Sequence, residues 1–295
     1  MGRMSTLIAG AIAAALLTGA AQAADDIVVG GKDFTEQLLL AEMTTQLLEA
    51  KGFDVDKRDG MGSQVVRDAQ VNGQIDVYWE YTGTSLVTYN KVTEPMNAED
   101  TFAKVKELDA KKGLTWLTPS GANNTYALAV RASDDKTDSI KTLSDMAKVY
   151  DEGGTLLMAV NAEFPRRPDG LIGLQKIYDF KAGRSNLRPM DSGLTSTALQ
   201  KNQGDVALVF ATDGRIQAFD FRVLDDDRGF FPSYAIAPVV RTDTLEANPA
   251  LAEPLEALAA KLDDATMQRL NAEVDVEKRN IDEVAKDFLS QNGLI

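Results

Sequence analysis

The chain has 295 residues, of which 44% are hydrophobic and 26% charged, and its formal net charge is −14. Such an acidic chain is a poor match for nucleic acid or for anionic membrane surfaces, since both attract basic faces. It contains no cysteine and no histidine, which excludes disulfides, thiolate and histidine metal sites, and the Ser-His-Asp and Cys-His catalytic systems. We therefore expect neither a metal site nor a cofactor.

Residues 1–23 have the composition of an export signal. A single basic residue, Arg3, precedes an apolar run over residues 7–17, and the segment ends in Ala21-Gln22-Ala23, which fits a cleavage site. A membrane anchor is the alternative, but the run is shorter than the roughly 20 apolar residues that a span needs. Cleavage removes one basic and no acidic residue and changes the net charge from −14 to −15. Because no cysteine can carry a lipid, we expect a mature chain that begins at Ala24 and is free in the periplasm.

The mature sequence opens with a strand, a Gly-Gly turn, a helix and a second strand. Lys32 falls between the first strand and the helix, where the N–H groups of a helix N-terminus stabilise an anionic ligand group. An exposed lysine that binds nothing is the alternative, since most lysines lie at the surface. Gly52 fits the end of the helix. Apolar residues recur at helical spacing within it: Leu39, Leu40, Met43, Leu47 and Leu48.

Residues 62–84 and residues 191–214 form a repeated unit, offset by 129 positions. Each copy predicts a short helix, a turn (Asn72-Gly73 in the first copy), a buried strand and a polar loop. Tyr81 aligns with Phe210, which places an aromatic residue at the C-terminal end of each strand. Open α/β sheets bind ligands at that edge. We therefore predict an α/β fold with two lobes that clamp a ligand between them.

Two similar apolar segments are predicted to carry the chain between the lobes as a hinge. They cover residues 122–131 and 235–241, and both end in Val-Arg. The predicted boundaries follow from these crossings. Residues 24–130 form the first part of lobe I, with a helix over residues 100–112. Residues 131–236 form lobe II as an insertion, and residues 237–295 return to lobe I and end in helices.

Lobe II is predicted to contain a helix over residues 139–150, a strand over residues 155–160 and then a second helix. Before this second helix, Arg166 and Arg167 stand between two prolines and could present a fixed guanidinium fork to a carboxylate. A solvent-exposed arginine is the commoner alternative for each of them. Four residues of the second helix are predicted to face inward: Leu171, Leu174, Ile177 and Tyr178.

Four aromatic residues fall at strand ends or at the predicted crossings: Tyr81, Tyr126, Phe210 and Tyr234. For any one of them, ordinary packing is a sufficient explanation. Four rings that converge on one cleft would instead suit a quaternary ammonium group. Such a group cannot donate a hydrogen bond and is held against ring faces, each contact contributing ~0.5 to 2 kcal/mol.

The sequence resembles the glycine betaine/choline-type substrate-binding proteins of osmoprotectant ABC importers over essentially the whole mature chain. The motifs that carry the resemblance are, in order, GGKDFTEQ, GSQVVRDA, NGQIDVYWEYTGT, NNTYALAV, EFPRRPDGL, MDSGLTSTAL, FATDGR, DDDRGFFPSYAIAPVVR and DVEKRNIDEVAKDFLSQNGLI. The resemblance implies a type II periplasmic-binding-protein fold, a solute held between two lobes, and delivery of that solute to an ABC permease.

The resemblance also implies a set of site residues. The aromatic cage of the family corresponds to Tyr81, Tyr126, Phe210 and Tyr234. The groups that bind the ligand carboxylate correspond to Lys32, Thr84 and Arg167, and Asn124 is implied to help line the pocket. Family members with tight betaine sites often have tyrosine at the position of Phe210. Phe34 and Trp79 could form extra walls, although packing is the simpler interpretation.

Two other functions would need residues of a different kind. A receptor for an amino acid would need acidic or carbonyl acceptors for the ligand's N–H groups, and within the matched motifs only Asp33 and Asp213 offer them. A hydrolase with a carboxylate pair would need two acids at a defined spacing, and none is apparent. We expect a binding protein and not an enzyme, acting as a monomer with a permease partner and without nucleic acid.

Overall fold

A computed structural model describes residues 26–295, so the predicted export signal and its cleavage site lie outside the described residues. The strands of this part of the chain are β1 (Ile27–Lys32), β2 (Val55–Met61), β3 (Val77–Tyr81), β4 (Leu114–Trp116), β5 (Tyr126–Arg131), β6 (Met158–Asn161), β7 (Leu187–Met190), β8 (Val206–Phe210), β9 (Phe221–Val223) and β10 (Ile236–Arg241). They form two five-stranded sheets, β2-β1-β3-β10-β4 and β7-β6-β8-β5-β9. Both are mixed sheets, as in the predicted two-lobed α/β fold.

The helices of the described residues are α1 (Thr35–Ala50), α2 (Ser63–Val71), α3 (Ala98–Ala110), α4 (Leu143–Asp151), α5 (Leu171–Tyr178), α6 (Thr195–Gln200), α7 (Arg215–Ala218), α8 (Thr242–Ala247), α9 (Ala252–Ala259), α10 (Asp264–Asp275) and α11 (Ile281–Gln291). Short 3₁₀ or π turns begin at Thr84, Phe164, Arg184, Ser192 and Pro249. Across residues 26–295, none of the helices combines the length and the apolarity that crossing a membrane requires.

The helix predicted over residues 139–150 begins later, at Leu143, because its start is fixed by a capping box. The side chain of Thr142 accepts from the N–H of Asp145, and the carboxylate of Asp145 accepts from the N–H of Thr142. In α5, the prediction that Ile177 faces inward was wrong, since this side chain is 44% exposed. It lies at the flank of the apolar face, which Leu171, Leu174 and Tyr178 fill.

The two copies of the repeat have similar structures, although the second begins with a 3₁₀ turn at Ser192 where the first begins directly with an α-helix. In the first copy α2 leads into β3, and in the second α6 leads into β8, so that Tyr81 and Phe210 are the last residues of matching strands. The intervening turns use left-handed backbone at equivalent positions, with φ of 77° at Gly73 and 54° at Asn202. The aligned acids also match: Asp76 accepts a hydrogen bond from the N–H of Val28, and Asp205 accepts one from the N–H of Leu157.

The chain changes sheets at two short segments that pair with each other. Asn123 and Ala235 form an antiparallel bridge, and the N–H of Ile236 donates to the carbonyl of Ala122 at 3.1 Å. The run over residues 126–131 is a strand, as the sequence predicts, but it does not cross between the lobes, because as β5 it lies between β8 and β9 in the second sheet. We therefore propose that lobe II begins near residue 126, a few residues before the predicted boundary.

The C-terminal helices pack on lobe I as predicted, with α11 lying against α1. Helix α10 also reaches the loop that follows β8 in lobe II. Gln268 donates to the carbonyl of Ala211 at 2.8 Å, and Asn271 donates to the carbonyl of Thr212 at 3.0 Å. The two lobes are therefore joined by side-chain contacts as well as by the two chain crossings.

Candidate ligand-binding site

A cavity of about 210 Å³ lies between the two sheets. All eight residues that the sequence analysis assigned to a site line it. Its lining consists of Lys32, Asp33, Phe34, Gly62, Ser63, Tyr81, Thr84, Asn124, Tyr126, Asn161, Ala162, Glu163, Arg167, Met190, Asp191, Ser192, Phe210 and Tyr234. The volume suits a small solute, and both lobes contribute to the walls.

The four predicted aromatic residues converge on this cavity because three of them end or begin strands at the facing edges of the sheets. Tyr126 pairs with Phe210 between β5 and β8, with 5.4 Å between ring centroids, and its ring is 5.7 Å from that of Tyr234. Hydrogen bonds orient two of the rings. The hydroxyl of Tyr81 donates to Glu36 at 2.8 Å, and that of Tyr234 donates to Asp169 at 2.7 Å.

Phe34 is a further ring of the same cavity. Its centroid is 5.3 Å from that of Phe210, with the planes 7° apart, and 6.1 Å from that of Tyr81. Packing was the preferred interpretation of Phe34, but the residue also lines the cavity. Trp79 is a packing residue: it is 1% exposed and donates from Nε1 to Thr44 at 2.8 Å.

Lys32 is buried, which excludes the alternative of an exposed surface lysine. Its Nζ lies 2.6 Å from Oε1 of Glu80 and 4.7 Å from the centroid of the Tyr81 ring. Burial lowers the pKa of Lys32, while the neighbouring carboxylate of Glu80 acts in the opposite direction. The hydroxyl of Tyr78 donates to the other oxygen of Glu80 at 2.6 Å. The ammonium group of Lys32 is thus part of the cavity wall and is already paired with the buried carboxylate of Glu80.

Arg167 is buried as well, and its guanidinium is held by Asp169. Nε and Nη2 donate to the two carboxylate oxygens of Asp169 at 2.9 and 2.5 Å. Nη2 also lies 3.2 Å from Oγ1 of Thr84, which belongs to lobe I. The guanidinium carbon is 5.2 Å from the centroid of the Tyr126 ring. Arg167 of lobe II therefore contacts both lobe I, through Thr84, and the aromatic ring of Tyr126. Arg166, the other arginine between the two prolines, is exposed.

Behind the rings, Glu36 is a buried acceptor that the sequence analysis missed. Asn124, one of the predicted site residues, donates to it at 2.6 Å and accepts from the N–H of Thr212 at 3.3 Å. Thr212 and Asn271 also donate to Glu36. Burial raises the pKa of the Glu36 carboxyl in spite of these hydrogen bonds. Through Glu36, helix α1 therefore holds the side chains of Asn124 and Tyr81 in place, and the same carboxylate also binds Thr212 of lobe II.

Three further carboxylates line the cavity: Asp33, Glu163 and Asp191. Asp33 lies at the rim, where partial desolvation and the charges of Glu163 and Asp191 raise its pKa. Within residues 26–295, acidic side chains nowhere gather in threes or more in a way that could hold a metal ion. The cavity thus combines aromatic faces, two paired cations and an acidic edge, which is an arrangement for binding a zwitterion or a cation.

Two lobes around a cavity of this kind define a solute-binding protein. The chain belongs to the family described as the substrate binding domain of ABC-type glycine betaine transport systems, which matches residues 25–291. It is 42% identical to a glycine-betaine-binding protein of Pseudomonas aeruginosa, covering 100% of this chain and 96% of that protein. It is 37% identical to the glycine betaine-binding protein YehZ of Escherichia coli, covering 92% of each. A crystal structure described as a glycine betaine/carnitine/choline ABC transporter superposes with a TM-score of 0.71 at 30% identity, covering 91% of this chain and 99% of that one.

Proposed function

We propose that this protein is a periplasmic receptor that binds a quaternary ammonium osmolyte, such as glycine betaine or choline, and delivers it to an ABC permease. The observation that carries the proposal is the convergence of five aromatic rings on one cavity between the lobes. Quaternary ammonium groups are held by such rings through cation–π attraction. Relatives named as glycine-betaine-binding proteins support the same ligand class.

The cavity residues divide into two groups by their chemistry. The ammonium group would contact the rings of Tyr81, Tyr126, Phe210 and Tyr234. A ligand carboxylate would be held by Lys32, Thr84 and Arg167, with Asn124 lining the pocket beside them. Arg167 belongs to lobe II and Lys32 to lobe I, so that a carboxylate bound by both would also hold the cleft closed.

Calorimetry of the mature chain with glycine betaine, choline and unmethylated glycine tests this function. We expect both trimethylammonium compounds to bind and glycine to bind far more weakly, because only the methylated cation matches the rings. A receptor for an amino acid is the second candidate. The three carboxylates at the cavity edge favour it, since they could accept hydrogen bonds from an α-ammonium group. Glycine that bound as well as betaine would support this candidate and exclude the first.

Export and oligomeric state belong to the same proposal. The protein would be cleaved after Ala23, released into the periplasm without a lipid, and act as a monomer. Mass spectrometry of periplasmic protein should give the mass of a chain that starts at Ala24, and sedimentation should give the mass of one chain. A secreted form that still began at Met1 would contradict cleavage.

A further inference from the structure

Glu163 lies at the edge of the cavity in lobe II and reaches across the cleft to lobe I. Its Oε1 accepts a hydrogen bond from the backbone N–H of Ser63 at 2.9 Å. Ser63 is the first residue of α2, so its N–H has no acceptor within the helix, and the N-cap residue, Gly62, has no side chain to cap the helix from its own part of the chain. Glu163 therefore caps a helix of lobe I from lobe II.

The other oxygen of Glu163 faces the arginine that would hold a ligand carboxylate. Oε2 lies 3.5 Å from Nη1 of Arg167. The remaining guanidinium nitrogens, Nε and Nη2, already donate to Asp169 at 2.9 and 2.5 Å. Nη1 is thus the guanidinium nitrogen of Arg167 whose contact with a carboxylate is longest. A ligand carboxylate bound at Nη1 would lie beside the carboxylate of Glu163.

We propose that Glu163 sets the ligand specificity of the cavity by disfavouring ligands that carry a carboxylate. This inference rests on the proposed function. Two carboxylates next to one guanidinium edge repel one another, and water screens this repulsion less inside a closed cleft than at the surface. A cation without a carboxylate, such as choline, meets no repulsion and gains from the negative charge. The hydrogen bond to Ser63 helps to close the cleft on either ligand.

The variant Glu163→Gln separates the two roles. Its amide oxygen can still accept from the N–H of Ser63, but its charge is gone. We expect glycine betaine to bind more tightly, on the order of 5-fold in Kd, because the negative charge beside its carboxylate has been removed. Choline should bind equally or more weakly. Calorimetry of the mature chain with each ligand gives the two Kd values, and their ratio is the readout that a purely structural role would not change.

Two further variants complete the experiment. Glu163→Ala also loses the acceptor for Ser63 and should weaken choline binding more than Glu163→Gln does. Glu152→Gln makes the same change in net charge at an exposed position outside the cavity, and it should leave the ratio of Kd values unchanged.

The outcomes separate this inference from the proposed function. Wild-type protein that binds neither ligand would overturn the proposed function, and the role of Glu163 with it. If both ligands bind, and Glu163→Gln leaves the ratio of Kd values unchanged, only the role of Glu163 is overturned. An equal shift in Glu152→Gln would also overturn it, because the effect would then be one of net charge.

Discussion

The ring of Phe34 lies parallel to the ring of Phe210, with 5.3 Å between the centroids and 7° between the planes. Phe34 is the N-cap residue of α1 in lobe I, and Phe210 is the last residue of β8 in lobe II. The stack therefore joins the lobes within the wall of the cavity. Phe34 is thus a contact between the lobes as well as one of the rings that a ligand would meet.

The first prediction concerns Phe34. In Phe34→Leu the apolar volume is largely kept but the ring face is lost, so binding of glycine betaine should weaken by about 1 kcal/mol, or about 5-fold in Kd. Calorimetry measures the change. Phe102→Leu is the matched control, because Phe102 packs against Trp116 in a separate apolar cluster and does not line the cavity. Equal affinities in wild type and Phe34→Leu would show that Phe34 only packs.

The second prediction concerns Phe210. Phe210→Ala should weaken trimethylammonium ligands by roughly 1 to 2 kcal/mol, since it removes a ring face from the cage. Phe210→Tyr keeps the face and adds a hydroxyl that could orient the ring, so its binding should be unchanged or tighter. Titration with glycine betaine measures both variants, with unmethylated glycine as the reference ligand. A silent Phe210→Ala would contradict the aromatic cage.

Two of the rings that line the cavity, Tyr81 and Phe210, could be located from sequence because they lie on a repeated local pattern. A helix, a turn and a buried strand recur at an offset of 129 residues, and the alignment of the two copies places Tyr81 and Phe210 at equivalent positions after the predicted strands. The structure shows that even the turn conformations at Gly73 and Asn202 correspond. Features of this kind are local, and a single sequence contains them.

The hydrogen-bond partners of the polar and charged site residues could not be predicted in the same way. Lys32 pairs with Glu80, which is 48 positions away, and Tyr234 donates to Asp169 at a separation of 65. The sequence has 45 acidic residues, and only the packing of strands and loops selects which of them become buried beside a cation. Glu36 was missed for the same reason, since its donors come from both lobes.

The third prediction concerns the stability of the Arg167–Asp169 pair. Arg167→Ala leaves Asp169, which is 2% exposed, without its cation, and should lower the free energy of unfolding by about 3–5 kcal/mol. The double variant Arg167→Met/Asp169→Asn removes both charges and should recover much of that loss. Urea denaturation compares the three proteins. A double variant that was as unstable as the single one would show that an unpaired carboxylate is not the cause.

The same variants test binding separately from folding. Arg167→Ala should weaken glycine betaine by about 1.5 to 3 kcal/mol, the range for hydrogen bonds to charged groups. The double variant should not restore this affinity, because the guanidinium is still missing. Choline, which has no carboxylate, should lose much less in either variant. Calorimetry under conditions in which each variant is folded gives these changes in binding free energy. Equal losses of affinity for glycine betaine and choline would exclude Arg167 from the carboxylate site.

The fourth prediction concerns pH and Glu36. Burial raises the pKa of this carboxyl above its ordinary value of 4.5, so the folded chain binds the proton more strongly than the unfolded chain. The resulting stabilisation is complete below pH 4.5 and is lost as the pH rises through the folded-state pKa. Because glutamine does not titrate, the stability of wild type relative to Glu36→Gln should fall as the pH rises. Glu36→Gln should still be less stable at neutral pH by about 1–3 kcal/mol, since it leaves a buried donor without an acceptor. Urea denaturation of both proteins between pH 4.5 and neutral pH measures the difference in their free energies of unfolding. A difference that stayed constant over this range would contradict a raised pKa of Glu36.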